Sequence, residues 1–310
     1  MAIAVIDIGT NTVLLLVAAI DPAGHITTLE YHQRIPRLGR GVDERKVLQP
    51  DSMERVIEVL LEYREIAARH RPEIVSVCGT SAVRDASNRE QFAALIQRRT
   101  GFTLEVLTGE EEALWTYRGA ISGIPDIAHA VVVDIGGGST ELTRGTSHDV
   151  IDSISLDIGS VRLTERLMRH DPPLAAEVAA VRRIAATSLA SMPHSVRWKS
   201  HRAVGVAGTA TTLALLAQQR RSFDLQAVSG YVLQRSAVSA LVTTLQRLSS
   251  TEILAMAEYM DGRNDIITAG AIILEEVMAF LGVQEITVSE RGVRYGIAIR
   301  DWERRGKSEL

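Results

Sequence analysis

One short pattern occurs twice in this chain, and nothing else in the sequence restricts the fold as much. Ala4-Val5-Ile6-Asp7-Ile8-Gly9-Thr10-Asn11-Thr12 stands near the start, and Val131-Val132-Val133-Asp134-Ile135-Gly136-Gly137-Gly138-Ser139-Thr140 repeats it. Each copy is an apolar β-branched run, then an Asp, then a turn of Gly and hydroxyl residues. A second strand-like run follows (13–20 and 141–144), then a turn (Asp21-Pro22-Ala23-Gly24 and Gly145-Thr146-Ser147-His148), then a third run (26–32 and 150–155). Three runs joined by tight turns predict an antiparallel meander.

After each meander, helices alternate with strands. Asp51 or Ser52 can cap a helix with the stripe Val56, Val59, Leu60, Tyr63 and Ile66, stopped by Pro72. Strands are expected at 74–78 and 104–107, with helices at 88–99 and 110–120. The second copy reads as a helical stretch at 161–192, a strand at 203–207, helices at 209–220, 234–248 and 265–281, a strand at 286–288 and a last helix from 293. Strands interleaved with helices pair in parallel and are buried on both faces. The expected fold class is α/β: βββαβαβα twice, each with a mixed sheet, in lobes of 1–123 and 124–310 around a ligand cleft. Ile124-Pro125-Asp126 marks the crossing, and the final helix, about 293–310, is expected to pack back on the first lobe.

Composition removes several classes of function. The 310 residues carry 34 Lys+Arg against 38 Asp+Glu, a net charge of −4, which excludes a basic nucleic-acid coat. Aromatics at 4% are too few for a base-stacking platform, so no nucleic-acid polymer is expected as a partner. The single Cys78, inside a strand-like run, excludes a disulfide framework or cysteine-rich zinc site and reads as a core residue. The histidines are dispersed, without an HExxH pair, and neither GxSxG nor a P-loop occurs. The apolar run 13–20 is far short of the ~20 residues that span a bilayer. The N-terminus has no basic n-region, and Lys307-Ser308-Glu309-Leu310 is read as a coincidental likeness to a retention signal. A cytoplasmic protein without membrane contact is expected, and a homodimer is left open.

An Asp ending a buried strand places a carboxylate at the sheet edge where α/β ligands sit. Glycines let backbone N–H groups approach phosphate closely, and Thr10, Asn11, Thr12, Ser139 and Thr140 add neutral donors. One such loop is an ordinary polar turn; two in the same strand context suit a chain of phosphates gripped from both sides, with Asp7 and Asp134 holding Mg²⁺. Val206-Ala207-Gly208-Thr209 follows a strand and opens a helix, so Gly208 and Thr209 read either as an anion site or as a plain cap. Glu110-Glu111-Glu112 begins a helix, where acids favour the dipole, yet Glu112 is also placed to deprotonate a water. Glu141 is either an exposed strand residue or an acid for metal or water. Arg84 is either a surface arginine or a phosphate ligand. Arg34, Arg37 and Arg40, near Gly39 and Gly41, either line a polyanion path or lie in a solvated loop. The pairs Arg98-Arg99, Arg182-Arg183 and Arg220-Arg221 read as helix-end charges.

These residues resemble a known family. The doubled loops and element order look like the actin / sugar kinase / heat-shock chaperone superfamily, with its ribonuclease H-like lobes. More specific stretches are similar to the exopolyphosphatase and guanosine pentaphosphate phosphohydrolase (Ppx–GppA) family: Asp7-Ile8-Gly9-Thr10-Asn11-Thr12, Gly79-Thr80-Ser81-Ala82-Val83-Arg84 and Thr108-Gly109-Glu110-Glu111-Glu112-Ala113. Asp134-Ile135-Gly136-Gly137-Gly138-Ser139-Thr140-Glu141, Gly159-Ser160-Val161-Arg162-Leu163-Thr164-Glu165, Gly205-Val206-Ala207-Gly208-Thr209 and Gly262-Arg263-Asn264-Asp265 continue it in family order. The resemblance implies removal of the terminal phosphate from a phosphoanhydride chain, with Mg²⁺ (or Mn²⁺) as cofactor. It implies Glu112 as the catalytic glutamate, Asp134 and Glu141 as metal-site acids with Asp7 opposite, and Arg84 as a site arginine. Its phosphate loops fall on Gly9-Thr10-Asn11 and Gly136, Gly137, Gly138, Ser139 and Thr140. Polyphosphate is the expected substrate, with guanosine pentaphosphate as the alternative; a superfamily kinase or a non-catalytic nucleotide-binding protein is the more distant reading. Three departures stand out. The sequence stops near Leu310, without the metal-phosphohydrolase-like extension of longer members, which bears on handling of long polymer. Tyr295 stands where longer members often have Glu, and Asn264 replaces a small residue.

Overall fold

The computed structural model describes residues 1–125, 127–147, 149–193, 198 and 202–308. Asp126 of the expected crossing, His148 of the expected turn, and Glu309 and Leu310 lie outside them. The chain forms two compact units, Met1–Gly119 with Gly292–Leu310, and Ala120–Arg291. The first boundary thus falls before residue 123, and the last helix belongs to the first unit.

The first unit holds β1 (Ala2–Ile8), β2 (Val13–Ile20), β3 (Ile26–Arg34), β4 (Ile74–Gly79) and β5 (Leu104–Val106) in the order β3-β2-β1-β4-β5. Its helices are α1 (Val42–Arg45), α2 (Pro50–Ala68), α3 (Ser81–Arg84), α4 (Arg89–Thr100) and α5 (Gly109–Ile121), the last running past the unit boundary. The meander β1-β2-β3 is antiparallel, and β4 and β5 continue in parallel. Central β1 is apolar at every position but Asp7 because both faces are covered. Ala4, Ile6 and Ile8 pack with Val56, Ile57, Leu60 and Tyr63 of α2. Ile3 and Val5 pack with Val293, Tyr295, Ile297 and Ala298. Helix α2 starts at Pro50, with Gln49 at the cap position, ahead of the expected Asp51 or Ser52. Proline suits the first helical position, where no N–H is needed.

The second unit holds β6 (His129–Ile135), β7 (Thr140–Thr146), β8 (Val150–Leu156), β9 (Arg202–Val206), β10 (Val232–Gln234) and β11 (Glu285–Val288). Their order, β10-β11-β9-β6-β7-β8, repeats the first sheet and adds one edge strand, β10, antiparallel to β11. That strand falls where the expected helix at 234 was to begin; at three residues it has no alternation to detect. Helices α6 (Ser160–Leu167) and α7 (Ala175–Ala190) replace the single expected stretch, interrupted at Pro172 and Pro173. They are followed by α8 (Ala207–Ala217), α9 (Leu225–Val228), α10 (Arg235–Leu245), α11 (Ser250–Leu254) and α12 (Ile267–Leu281). Strand β9 stops at Val206 because Ala207 takes a left-handed backbone, φ 63°, and turns directly into α8.

Helix α13 (Val293–Ser308) returns to the first unit and covers β1. Tyr295 is fully buried, and its hydroxyl lies 2.8 Å from Thr28 Oγ1. Glycines let α13 meet α5 backbone to backbone: a Cβ on Gly296 would lie 1.8 Å from the Trp115 carbonyl oxygen, and one on Gly119 2.1 Å from that of Gly292. Among the described residues no helix is long and apolar enough to cross a membrane. Overpacking a tight interior contact typically costs about 1–3 kcal/mol. Gly296→Ala should therefore lower the denaturant midpoint of unfolding, while Gly306→Ala, with open space around it inside α13, should leave it unchanged or raise it.

Candidate active site

The two Asp loops are the same hairpin. Asp7 pairs with Leu14 across β1–β2, and the Gly9 N–H donates to the Thr12 carbonyl at 2.9 Å. Asp134 pairs with Glu141 across β6–β7, and the Gly136 N–H donates to the Ser139 carbonyl at 3.0 Å. Opposite the Asp, one copy therefore has an apolar residue and the other a second carboxylate. Each Asp lies on the last turn of a buried strand, so its polar end is carried to the sheet edge by the apolar run before it.

In the first unit this edge gathers charge. Asp7 is 8% exposed, and its Oδ1 is buried with no hydrogen-bond partner. Burial pushes the Asp7 carboxyl up to about 7; Arg294 opposes this and Glu112 adds to it. Glu112, in the first turn of α5, is also pushed up, first by burial; the Arg84 guanidinium opposes this with an Nη1–Oε2 contact of 2.7 Å. Arg84 ends α3 and donates to the Leu107 carbonyl as well, at 3.1 Å, so it is held while it orients Glu112. At the start of α3, Ser81 Oγ is 3.1 Å from Thr10 Oγ1, tying that helix to the first loop.

The three glutamates have separate fates. Glu110 is exposed. Glu111 accepts from the Thr108 N–H at 2.9 Å and its hydroxyl at 3.0 Å, which holds its carboxyl below the usual range and closes the start of α5. Only Glu112 joins Arg84 and Asp7. Arg294 was not singled out from the sequence. Its guanidinium is buried, 4.5 Å from the Tyr31 ring centre, and helps offset the Asp7 charge. It lies one residue before Tyr295, in Gly292-Val293-Arg294-Tyr295-Gly296.

In the second unit, Asp134 is partly exposed, while Glu141 is 5% exposed and accepts from Ser155 Oγ at 2.7 Å. The glycine loop is stitched down through its carbonyls: Ser160 N–H to Gly136, Arg162 N–H to Gly137 and Arg162 Nε to Gly138. Its oxygens thus face the protein side. Thr140 Oγ1 donates to the Ile158 carbonyl and Thr209 Oγ1 to the Ile135 carbonyl, so both hydroxyls bind protein. Gly208 lies under the buried Arg263: a Cβ there would meet Nη1 at 1.9 Å. Arg162 and Arg263 were legible only as members of longer motifs. Among the described residues no three His, Cys, Asp or Glu side chains converge as a metal cage. Mg²⁺ needs only one or two carboxylates beside phosphate oxygens and water. In the first unit the partnerless buried Asp7 Oδ1, and in the second the carboxylates Asp134 and Glu141 facing each other across β6–β7, are oxygen donors of the kind such a hard cation takes.

The chain is similar to several known proteins. The family model described as the Ppx/GppA phosphatase family matches residues 16–305. Exopolyphosphatase 2 of Mycobacterium tuberculosis is 38% identical over 96% of this chain and 97% of that protein. The crystal structure of the Aquifex aeolicus Ppx/GppA family member superposes with a TM-score of 0.82 at 32% identity, covering 98% of each chain. An exopolyphosphatase of Cytophaga hutchinsonii gives 0.88 at 28% identity over 96% of each.

The Asp7 carboxyl fixes a sign for the pH dependence of stability. Its folded pKa is raised, so ionisation opposes folding progressively from about pH 4 to about pH 7 and fully above that. Asp7→Asn should raise stability at pH 8, by an amount on the order of 4 kcal/mol at most, and the gain should vanish near pH 4. Chemical denaturation of both proteins across that range, without divalent cations, checks it.

Proposed function

This chain belongs to the Ppx/GppA phosphatase family, and from that premise we propose that it is an exopolyphosphatase, hydrolysing the terminal phosphoanhydride bond of inorganic polyphosphate with water activated by Glu112. The observation that carries the reading is the Glu112–Arg84 pair at the same sheet edge as Asp7 and the Gly9–Thr12 loop. Burial raises the proton affinity of Glu112, and the guanidinium holds one carboxylate oxygen in place. A carboxylate with raised proton affinity is a stronger base toward water.

Water bound at Glu112 gives it a proton as the water oxygen bonds to the terminal phosphorus. The bridging P–O bond breaks in line, and the leaving chain, one phosphate shorter, takes up the electron pair. Such a transition state spreads charge over the three equatorial oxygens, so catalysis is mostly positioning and electrostatics. Each Gly loop offers neutral donors of its own: N–H groups other than those of Gly9 and Gly136, which close the hairpins, and the hydroxyl of Thr10 or Ser139. Asp134 and Glu141, adjacent across β6–β7, are the carboxylates of the second unit that would hold Mg²⁺ or Mn²⁺, and Asp7 is the candidate in the first. When bound, the cation neutralises charge on the phosphoryl oxygens. Support for polyphosphate as substrate comes from the exopolyphosphatase relative at 38% identity; guanosine pentaphosphate ends in the same type of bond.

Phosphate release should be measured from tripolyphosphate, long polyphosphate and guanosine pentaphosphate, with and without Mg²⁺ and in the absence of ATP. Release from polyphosphate is expected; release from guanosine pentaphosphate alone would reassign the substrate, and none without a nucleotide donor would refute hydrolysis. Glu112→Gln should lose about 10²–10⁴-fold in kcat and keep substrate affinity. Near-normal turnover would remove Glu112 from its role. Asp134→Ala should shift the Mg²⁺ titration of activity to higher concentration; an unchanged titration counts against Asp134 as a ligand.

A further inference from the structure

Two hydroxyls meet at the first loop, and only one proton can lie between them. Ser81 Oγ, at the start of α3, is 3.1 Å from Thr10 Oγ1. A hydroxyl has one proton to give and two lone pairs to offer. Ser81 is 6% exposed, and among the described residues its Oγ bonds to Thr10 Oγ1 alone. Were Thr10 the donor, the Ser81 proton would be buried without an acceptor, which is the costly arrangement. Ser81 therefore donates and Thr10 accepts. The proton of Thr10, a partly exposed residue, is left without an acceptor among the described residues.

The rest of Thr10 is held as well. The Gly39 N–H donates to the Thr10 carbonyl at 2.7 Å and the Arg37 N–H to the Asn11 carbonyl at 3.1 Å. The Thr10 methyl lies over Gly39, where a Cβ would be 2.2 Å from Cγ2. A β-branched side chain has few χ1 choices, and here one branch rests on Gly39 while the other meets Ser81. The internal repeat shows that this pairing is not imposed by the fold. Cys78 lies beside Asp7 and Val206 beside Asp134, so three residues further on Ser81 corresponds to Thr209. Thr209 gives its proton to the Ile135 carbonyl at 3.0 Å. The matching carbonyl, that of Ile8, is taken by the Thr80 N–H at 3.2 Å, and Ser81 turns to the loop instead. The loop position matching Thr10 is Gly137, which has no side chain to meet. The donor pair thus belongs only to the unit that carries Glu112 and Arg84.

We infer that Ser81 is a positioning residue for substrate binding: by donating to Thr10 it commits the Thr10 proton to a phosphate oxygen of the chain held at the Gly9–Thr12 loop. The inference rests on the phosphoanhydride hydrolase reading above. Ionised phosphate oxygens only accept, so a hydroxyl whose accepting side is already filled meets them in the right sense. A hydroxyl that accepts one hydrogen bond is also the stronger donor in the next.

A double-mutant cycle on tripolyphosphate tests whether Ser81 acts through Thr10. Ser81→Ala should raise KM about fivefold and Thr10→Val about tenfold or more, each with a smaller change in kcat. The double variant should be no worse than Thr10→Val alone, because the serine has then lost the group it orients. Stabilisation by non-hydrolysed tripolyphosphate, read by thermal shift with Glu112→Gln as background, should show the same non-additivity. Ser81→Thr, which keeps the hydroxyl, should recover part of the affinity. If the wild type hydrolyses tripolyphosphate and Ser81→Ala lowers only the melting temperature, with KM and ligand-induced shift unchanged, the serine is structural and the inference fails while the function stands. Additive losses in the double variant would refute it equally. If the wild type neither binds nor hydrolyses any of the phosphate chains, the functional reading falls, and this inference with it.

Discussion

Placing carboxylates at the rim of an apolar sheet is the constraint on which the first unit turns. Asp7 is carried to the edge by a strand buried on both faces, so its charge loses most of its hydration. Glu112 is brought beside it by the start of α5, and two buried acids of like charge would not remain there alone. Arg84 and Arg294 offset them, each fixed by a second contact: Arg84 to the Leu107 carbonyl, Arg294 over the Tyr31 ring.

The position of α13 follows from the same arrangement. Strand β1 alternates its residues between two covers, and Asp7 lies on the Ile3–Val5 face that α13 seals. The helix that completes the core is therefore also the one that delivers Arg294. Its close approach to α5 depends on Gly119 and Gly296, since any Cβ there would press on backbone. Tyr295 is part of this seal: buried, with its hydroxyl on Thr28.

The internal repeat shows how one hairpin can serve two tasks. The Gly turns, the Asp at the strand end and the stitching segment recur in both units. The differences lie in the side chains: Leu14 against Glu141, and a main-chain stitch at Arg37 against a guanidinium stitch at Arg162. One Asp has a carboxylate across the hairpin; the other has Leu14, and its loop is tied down through the main-chain N–H of Arg37.

The meanders, the alternation of strand and helix after them, the two Asp loops and the candidacy of Glu112, Arg84 and Glu141 were all readable along the chain, because each rests on short-range periodicity or on a motif of fixed spacing. The added strand β10, the break between α6 and α7 and the early start of α2 were not, since they depend on an edge partner, on prolines inside a helical pattern and on a cap outside it. Residue order alone also could not divide Glu110, Glu111 and Glu112 among solvent, helix cap and Arg84, or bring Arg294 from the far end of the chain to Asp7. Local sequence fixes the conformation a segment prefers, but which charges become neighbours in a low-dielectric interior is decided only when distant segments pack, and that is where the chemistry of this protein is set.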